Sequence, residues 1–180
     1  MFGKITKKTS RILTKEHENI LKVAEDLENE CNSIEQGKEI DKGFFKESID
    51  FIRNYADKFH HAKEEDILFK EFNEQVEKDP GCVHCNPVEQ MLIEHDEGRK
   101  FVKGMGEALE KSDRKKLIEN ARGYINLIRE HIFKEDNILY PMADEAIDEK
   151  IEGIMLDKFR KIEKENKDKI KKLLMISDGR

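Results

Sequence analysis

The stretch HHAKEEDILF, His60 to Phe69, decides how the chain is read, because HIFKEDNILYP, His131 to Pro141, repeats it. Superimposed on their shared Lys-Glu, both give His-x-x-Lys-Glu-acid-polar-Ile-Leu-aromatic. Each phrase sets a histidine four residues before a glutamate: His60 before Glu64, and His131 before Glu135. Residues four apart lie on one helix face, a turn apart. Each phrase therefore directs an imidazole and a carboxylate the same way.

The flanking pattern says which way that is. Apolar residues recur at a three-four spacing, not in alternation, so the elements are amphipathic helices. The first stripe is Leu13, Ile20, Ala24, Leu27, Cys31 and Ile34; the second is Phe45, Ile49, Ile52, Ala56 and Ile67. Val88, Leu92, Val102, Met105 and Leu109 form the third, and Ala121, Ile125, Ile128, Ile138 and Met142 the fourth. Breaks fall at Gly37 to Asp41, at KDPGCVHCNP (Lys78 to Pro87) and at KSD (Lys111 to Asp113), with Ser112 expected as an N-cap and Pro87 as a first helical residue. This predicts a single all-α domain over residues 1–180. Its architecture is an antiparallel up-down four-helix bundle over about 10–147, with an additional C-terminal helix over about 148–176.

Each stripe passes through polar residues. His17 lies on the first, His60 and Glu64 on the second, His95 on the third, and His131 and Glu135 on the fourth. His61 is rotated about 100° from His60 and shares a column with Asn54, Asp57 and Glu65. His61 and Glu65 are therefore expected in solvent or behind the inward donors, not among them. A second repeat pairs KEHENILKV (Lys15 to Val23) with IEHDEGRKF (Ile93 to Phe101), so the halves read as duplicated helical hairpins. Taking the turns near residues 39 and 112, His17 and His60 stand 22 and 21 residues away, and His95 and His131 stand 17 and 19 away. Each hairpin thus brings its two histidines to one height, within about one 5.4 Å turn.

Six buried donors at one level call for compensation, since unpaired carboxylates and imidazoles are costly in a core. Metal cations supply it. The set exceeds the four ligands one zinc takes; it divides as two histidines per metal with two glutamates able to bridge. That is a dinuclear first-row site, with iron the leading candidate. The Glu-x-x-His signature of other bundle-borne di-iron proteins is missing, because Thr14, Asp57, Leu92 and Ile128 stand three before the inward histidines.

The ordered set KEHENI, FHHAKEEDILF, MLIEHDEGR and REHIFKEDNILYPMAD resembles the hemerythrin-like, or HHE cation-binding, family in its four-histidine, two-glutamate type. The resemblance implies two Fe ions with an oxo or hydroxo bridge, held by His17, His60, Glu64, His95, His131 and Glu135. Manganese or a mixed-metal pair would suit the same donors. Oxygen-carrying members have a fifth histidine four residues from another on the third helix; around His95 those positions hold Met91 and Arg99. Both metals would then keep an open position, which favours reactivity over reversible O2 carriage. The implied role is binding of O2, a related diatomic such as NO, or peroxide, as sensor or binder. The alternative is an oxidoreductase reducing peroxide, O2 or NO, or serving iron–sulfur centre repair, fed by an unknown electron donor. An iron store would need a second acidic cluster, and none is visible.

A net charge of −6 with basic and acidic residues interspersed argues against a nucleic-acid surface. No apolar run is long enough to cross a bilayer, and MFGKITKKTS lacks a signal-peptide core, so a soluble cytoplasmic protein is expected. Three cysteines do not make a secreted disulfide framework. Cys82 and Cys85, around His84, could form a redox pair or relay electrons to the metal centre. Tyr124 and Tyr140 on the fourth helix could line the site, though a tyrosine on a core helix is more often packing.

Overall fold

A computed structural model describes residues 6–79 and 86–178, with side chains to residue 175; Cys82, His84 and Cys85 lie outside the described residues. The chain is all-α, a four-helix bundle with a fifth helix added. The helices are α1 (Lys8–Glu35), α2 (residues 42–78), α3 (Val88–Glu110), α4 (residues 114–146) and α5 (Glu149–Asp178). No helix among the described residues is long and apolar enough to cross a membrane.

Turn chemistry sets the ends. After α1, Gly37 adopts φ +104° and the N–H groups of Gly37 and Lys38 bond Ile34 and Ser33, which closes the helix with a glycine in the left-handed region. The α3–α4 turn uses the same device with a serine. Ser112 takes φ +53°, and Ser112 and Asp113 donate to Leu109 and Ala108. Ser112 is thus not the N-cap expected of it: Asp113 is, accepting from Lys116 N–H. Pro87 likewise sits one position earlier than expected, at the N-cap, with Val88 first in the helix. The start of α1 is capped from across the bundle, where Asp144 accepts Thr6 N–H, Lys7 N–H at 2.8 Å and the Ser10 hydroxyl at 2.6 Å.

The first stripe is buried throughout. Two others are out of phase in places. Leu92 is 39% exposed and its neighbour Met91 is buried instead, while Ile138 and Met142 are only half-buried beside fully buried Leu139 and Ala143. The shift in α4 has a backbone cause. Residues Glu135–Leu139 are π-helical, as are Ile52–His61 and Glu64–Leu68 in α2. Hydrogen bonds from i to i+5 take in an extra residue per turn. In an α-helix, residues four apart drift by about 40°; wide turns offset that drift. The result is straight columns of period four: Ile52, Ala56, His60, Glu64 and Leu68 on α2, and His131, Glu135, Leu139 and Ala143 on α4, all buried.

The core is two apolar clusters. One holds Leu27, Phe45, Tyr55, Met105 and Ile125; the other holds Leu13, Phe72, Met91, Tyr140 and, from α5, Phe159. Buried histidines and glutamates of all four bundle helices lie between them. Asp144→Ala leaves two N–H groups and a buried hydroxyl unpaired, so it should cost about 1–2 kcal/mol in urea unfolding. An unchanged midpoint would show that the cross-bundle cap contributes nothing.

Candidate metal centre

Each of the four inward histidines has its Nδ1 against a carboxylate. His60 Nδ1 lies 2.9 Å from Glu16, His131 Nδ1 2.9 Å from Glu94, His95 Nδ1 2.7 Å from Glu65, and His17 Nδ1 3.1 Å from Asp136. The repeated phrase explains the partners. The glutamate preceding the histidine on α1 or α3 holds the histidine of the next helix, within its own hairpin. The acid that follows Lys-Glu on α2 or α4 holds the histidine of the other hairpin. The phrase's lysine completes the motif, with Lys63 Nζ 2.5 Å from Glu16 and Lys134 bonded to Glu94. Lys63 is fully buried, over the Phe59 ring at 3.9 Å and 3.2 Å from Glu163 on α5.

A ring that donates Nδ1–H to a carboxylate keeps its lone pair on Nε2. All four Nε2 atoms converge on Glu64 and Glu135. Glu135 Oε2 is 3.2 Å from His17 and its Oε1 3.2 Å from His131; Glu64 Oε1 is 3.5 Å from His60 and its Oε2 3.6 Å from His95. Each carboxylate thus offers one oxygen to the α1–α2 pair of histidines and one to the α3–α4 pair. The two imidazole pairs are equivalent, with ring centroids 4.7 Å apart and planes 63° apart in both.

The layer is unbalanced as a protein core. Glu64 and Glu135 are fully buried, and Glu64 Oε2 and both oxygens of Glu135 have no hydrogen-bond partner among the described residues. His95 Nε2 and His131 Nε2 face each other at 3.0 Å. Lone pairs so placed repel unless a proton or a metal cation lies between them. Burial, then the charge of Glu135, pushes the Glu64 carboxyl well up. Burial alone would lower His131, but Glu135 and Glu94 hold it up at about 10; Asp136 and Glu135 likewise hold His17 at about 9 against its burial. Ligands about 2.1 Å from one cation stand about 3 to 3.4 Å apart, and the donor spacings found run from 3.0 to 3.6 Å. The donor set fits metal ions. His17, His60, Glu64 and Glu135 form one such group, their ligand atoms within 4.8 Å of one another.

The Hemerythrin HHE cation binding domain matches the chain over residues 8–143. The chain belongs to that family. No curated protein and no solved structure gives a significant match. Within this hemerythrin-like layer all six residues singled out from the sequence come together, and two others join them.

Of the two places expected for His61, solvent is ruled out. This residue is 8% exposed, and its ring stacks on that of His95 at 3.7 Å and 9°. With His95 and His131 it forms a second group whose ligand atoms lie within 4.8 Å of one another. The Asp57–His61–Glu65 column is polar because it packs against α3, where Arg99 pairs with Asp57 and Glu65. Tyr140, for which packing is the favoured sequence reading, lines the site. Its hydroxyl donates to Glu64 Oε1 and lies 3.3 Å from His17 Nε2. Its place five residues after Glu135, across the π turn, hides it from a wheel of α period. On the opposite side, a cavity between α2, α3 and α4 reaches His61, His95 and His131.

Removing the carboxylate behind a metal-binding imidazole weakens metal binding about 10- to 100-fold. Glu94→Ala should therefore weaken cation affinity by that factor, read by competition with a chelating dye, while far-ultraviolet circular dichroism stays unchanged. Wild-type affinity in the variant would separate the Glu94–His131 bond from metal binding.

Proposed function

We propose that the layer holds a dinuclear iron centre that binds O2, NO or peroxide, as a sensor or binder. His17 and His60 would serve one ion, His95 and His131 the other, with Glu64 and Glu135 bridging. The observation that carries this reading is the division of each buried carboxylate, one oxygen facing each histidine pair. A single ion would leave half of these donors unused. A bound iron pair supplies electrons and open positions for a small oxidising ligand.

The chain's own residues do the rest. Glu16, Asp136, Glu65 and Glu94 fix the ring orientations and keep Nε2 inward. Tyr140 closes the His17–His60 half with its hydroxyl and supplies a proton donor bonded to Glu64. Ligand entry falls to the His95–His131 half, where the cavity lies. That cavity, about 260 Å³, is far larger than a diatomic needs, and it favours a second reading: a di-iron oxidoreductase acting on peroxide, O2 or NO.

Iron-loaded wild-type protein should carry two irons per chain, and His131→Ala with Glu135→Ala should carry at most one. Equal iron in both proteins would sink the ligand assignment. The readings separate in the optical spectrum of reduced, iron-loaded protein exposed to O2. Charge-transfer bands that vanish on deoxygenation are expected of a binder, and bands that persist would transfer the function to the oxidoreductase.

A further inference from the structure

The repeat that pairs His60 with His131 also pairs Phe69 with Tyr140, each five residues after the phrase's glutamate. The fold keeps the two equivalent. The Phe69 ring stacks on His95 with centroids 5.9 Å apart and planes at 22°, and the Tyr140 ring stacks on His17 at 5.6 Å and 11°. Both rings are buried, in the same apolar cluster. Phe69 fills its place without an oxygen, so packing does not account for the hydroxyl of Tyr140. A buried hydroxyl is costly unless it is bonded, and the polar atoms beside this one belong to Glu64 and His17. Its oxygen lies 3.3 Å from His17 Nε2, within the spacing of about 3 to 3.4 Å between two ligands of one cation. The single hydroxyl hydrogen goes to Glu64 Oε1, and Asp136 stands at the other nitrogen of His17. The phenol oxygen and His17 Nε2 therefore meet with lone pairs, and Glu135 Oε2 adds a third donor 3.2 Å from that nitrogen.

We propose that Tyr140 is a direct ligand of the ion at His17 and His60, binding it as a phenolate in the ferric state. The inference rests on the iron reading of this layer. Tyrosine oxygen is a known iron ligand. As it binds, its O–H bond breaks, the electron pair passes to the iron and the proton leaves to the buffer; nothing is oxidised or reduced. The ion at His95 and His131 gains no such ligand, because Phe69 has no oxygen to offer. One negative charge is thus added to one half of the pair alone, and the halves differ in chemistry although their histidines and carboxylates match.

The test is resonance Raman spectroscopy of the air-oxidised, iron-loaded full-length protein, excited in its visible absorption, with iron counted on the same samples. Wild type should show the ring vibrations of an iron-bound phenolate, which an oxo-bridged pair held by imidazoles and carboxylates alone does not give. Tyr140→Phe removes one oxygen and keeps the buried ring; it should lose every phenolate mode while still binding iron. The chain has three tyrosines, so Tyr55→Phe and Tyr124→Phe serve as controls and should keep the modes. Wild type with two irons and no phenolate modes overturns the proposal and leaves the iron pair standing. Modes that persist in Tyr140→Phe, or that vanish in either control instead, assign the ligand elsewhere and overturn it as well. Phenolate modes lost in Tyr140→Phe, with one iron per chain in wild type, uphold Tyr140 as a ligand and reject the dinuclear centre.

Discussion

Two fully buried carboxylates, Glu64 and Glu135, set the terms for everything around them. An ionised carboxylate in a low-dielectric interior is costly enough to shift its own protonation unless positive charge sits beside it. The bundle answers with four imidazoles, each turned so that a nitrogen faces these oxygens. Turning an imidazole takes a second bond behind it, hence Glu16, Asp136, Glu65 and Glu94. Those acids then need balancing. Lys63 and Lys134 pair with Glu16 and Glu94, and Arg99 with Glu65. The charge is handed outward in steps, and the repeated Lys-Glu-acid is that sequence of steps written once per hairpin.

The two hairpins share this chemistry but not their surroundings. Around His17 and His60 the structure is closed. Tyr140 lies against His17, and α5 seats Phe159 in the adjoining apolar cluster and Glu163 on Lys63. Around His95 and His131 the layer borders a cavity, and His61 stacks on one of the two rings. A symmetric set of donors has thus been given unequal access. On the proposed dinuclear reading, the His17–His60 position would hold its ion and the His95–His131 position would receive a ligand.

Much of this was legible in the sequence because the donors stand on stripes of otherwise apolar residues. His17, His60, Glu64, His95, His131 and Glu135 could be found by phase alone, and the hairpin count placed the two histidines of each hairpin at one height. What could not be read by that method is what departs from a period of 3.6. A wheel of 100° per residue sends His61 to a polar column, and a polar column looks like a solvated one. In the fold that column faces Arg99 and His95, and its polarity is recognition between helices. The same geometry moved burial from Ile138 to Leu139. A signal was present, since Ile52, Ala56, His60, Glu64 and Leu68 recur every four residues, which no straight α-helix keeps on one face for long. Ser112 was misjudged for another reason. Its left-handed φ follows from how α3 has to end, and that is a property of the junction, not of the residue.

The wide turns also bear on what the centre can do. Donors on a regular α-helix diverge around its axis, so a histidine and a glutamate four apart reach a common point only by bending their side chains toward it. Wide turns run up to His60 and onward from Glu64 on α2, and onward from Glu135 on α4, while the Glu135 N–H keeps an α bond to the His131 carbonyl. An i→i+5 turn packs its backbone less well than an α turn and is uncommon for that reason. Among the described residues it occurs at Ile52–His61, Glu64–Leu68 and Glu135–Leu139, within and next to the two phrases. The carboxylates behind the four imidazoles remove side-chain freedom from the donors. A site organised in this way lowers the ordering cost of binding a cation.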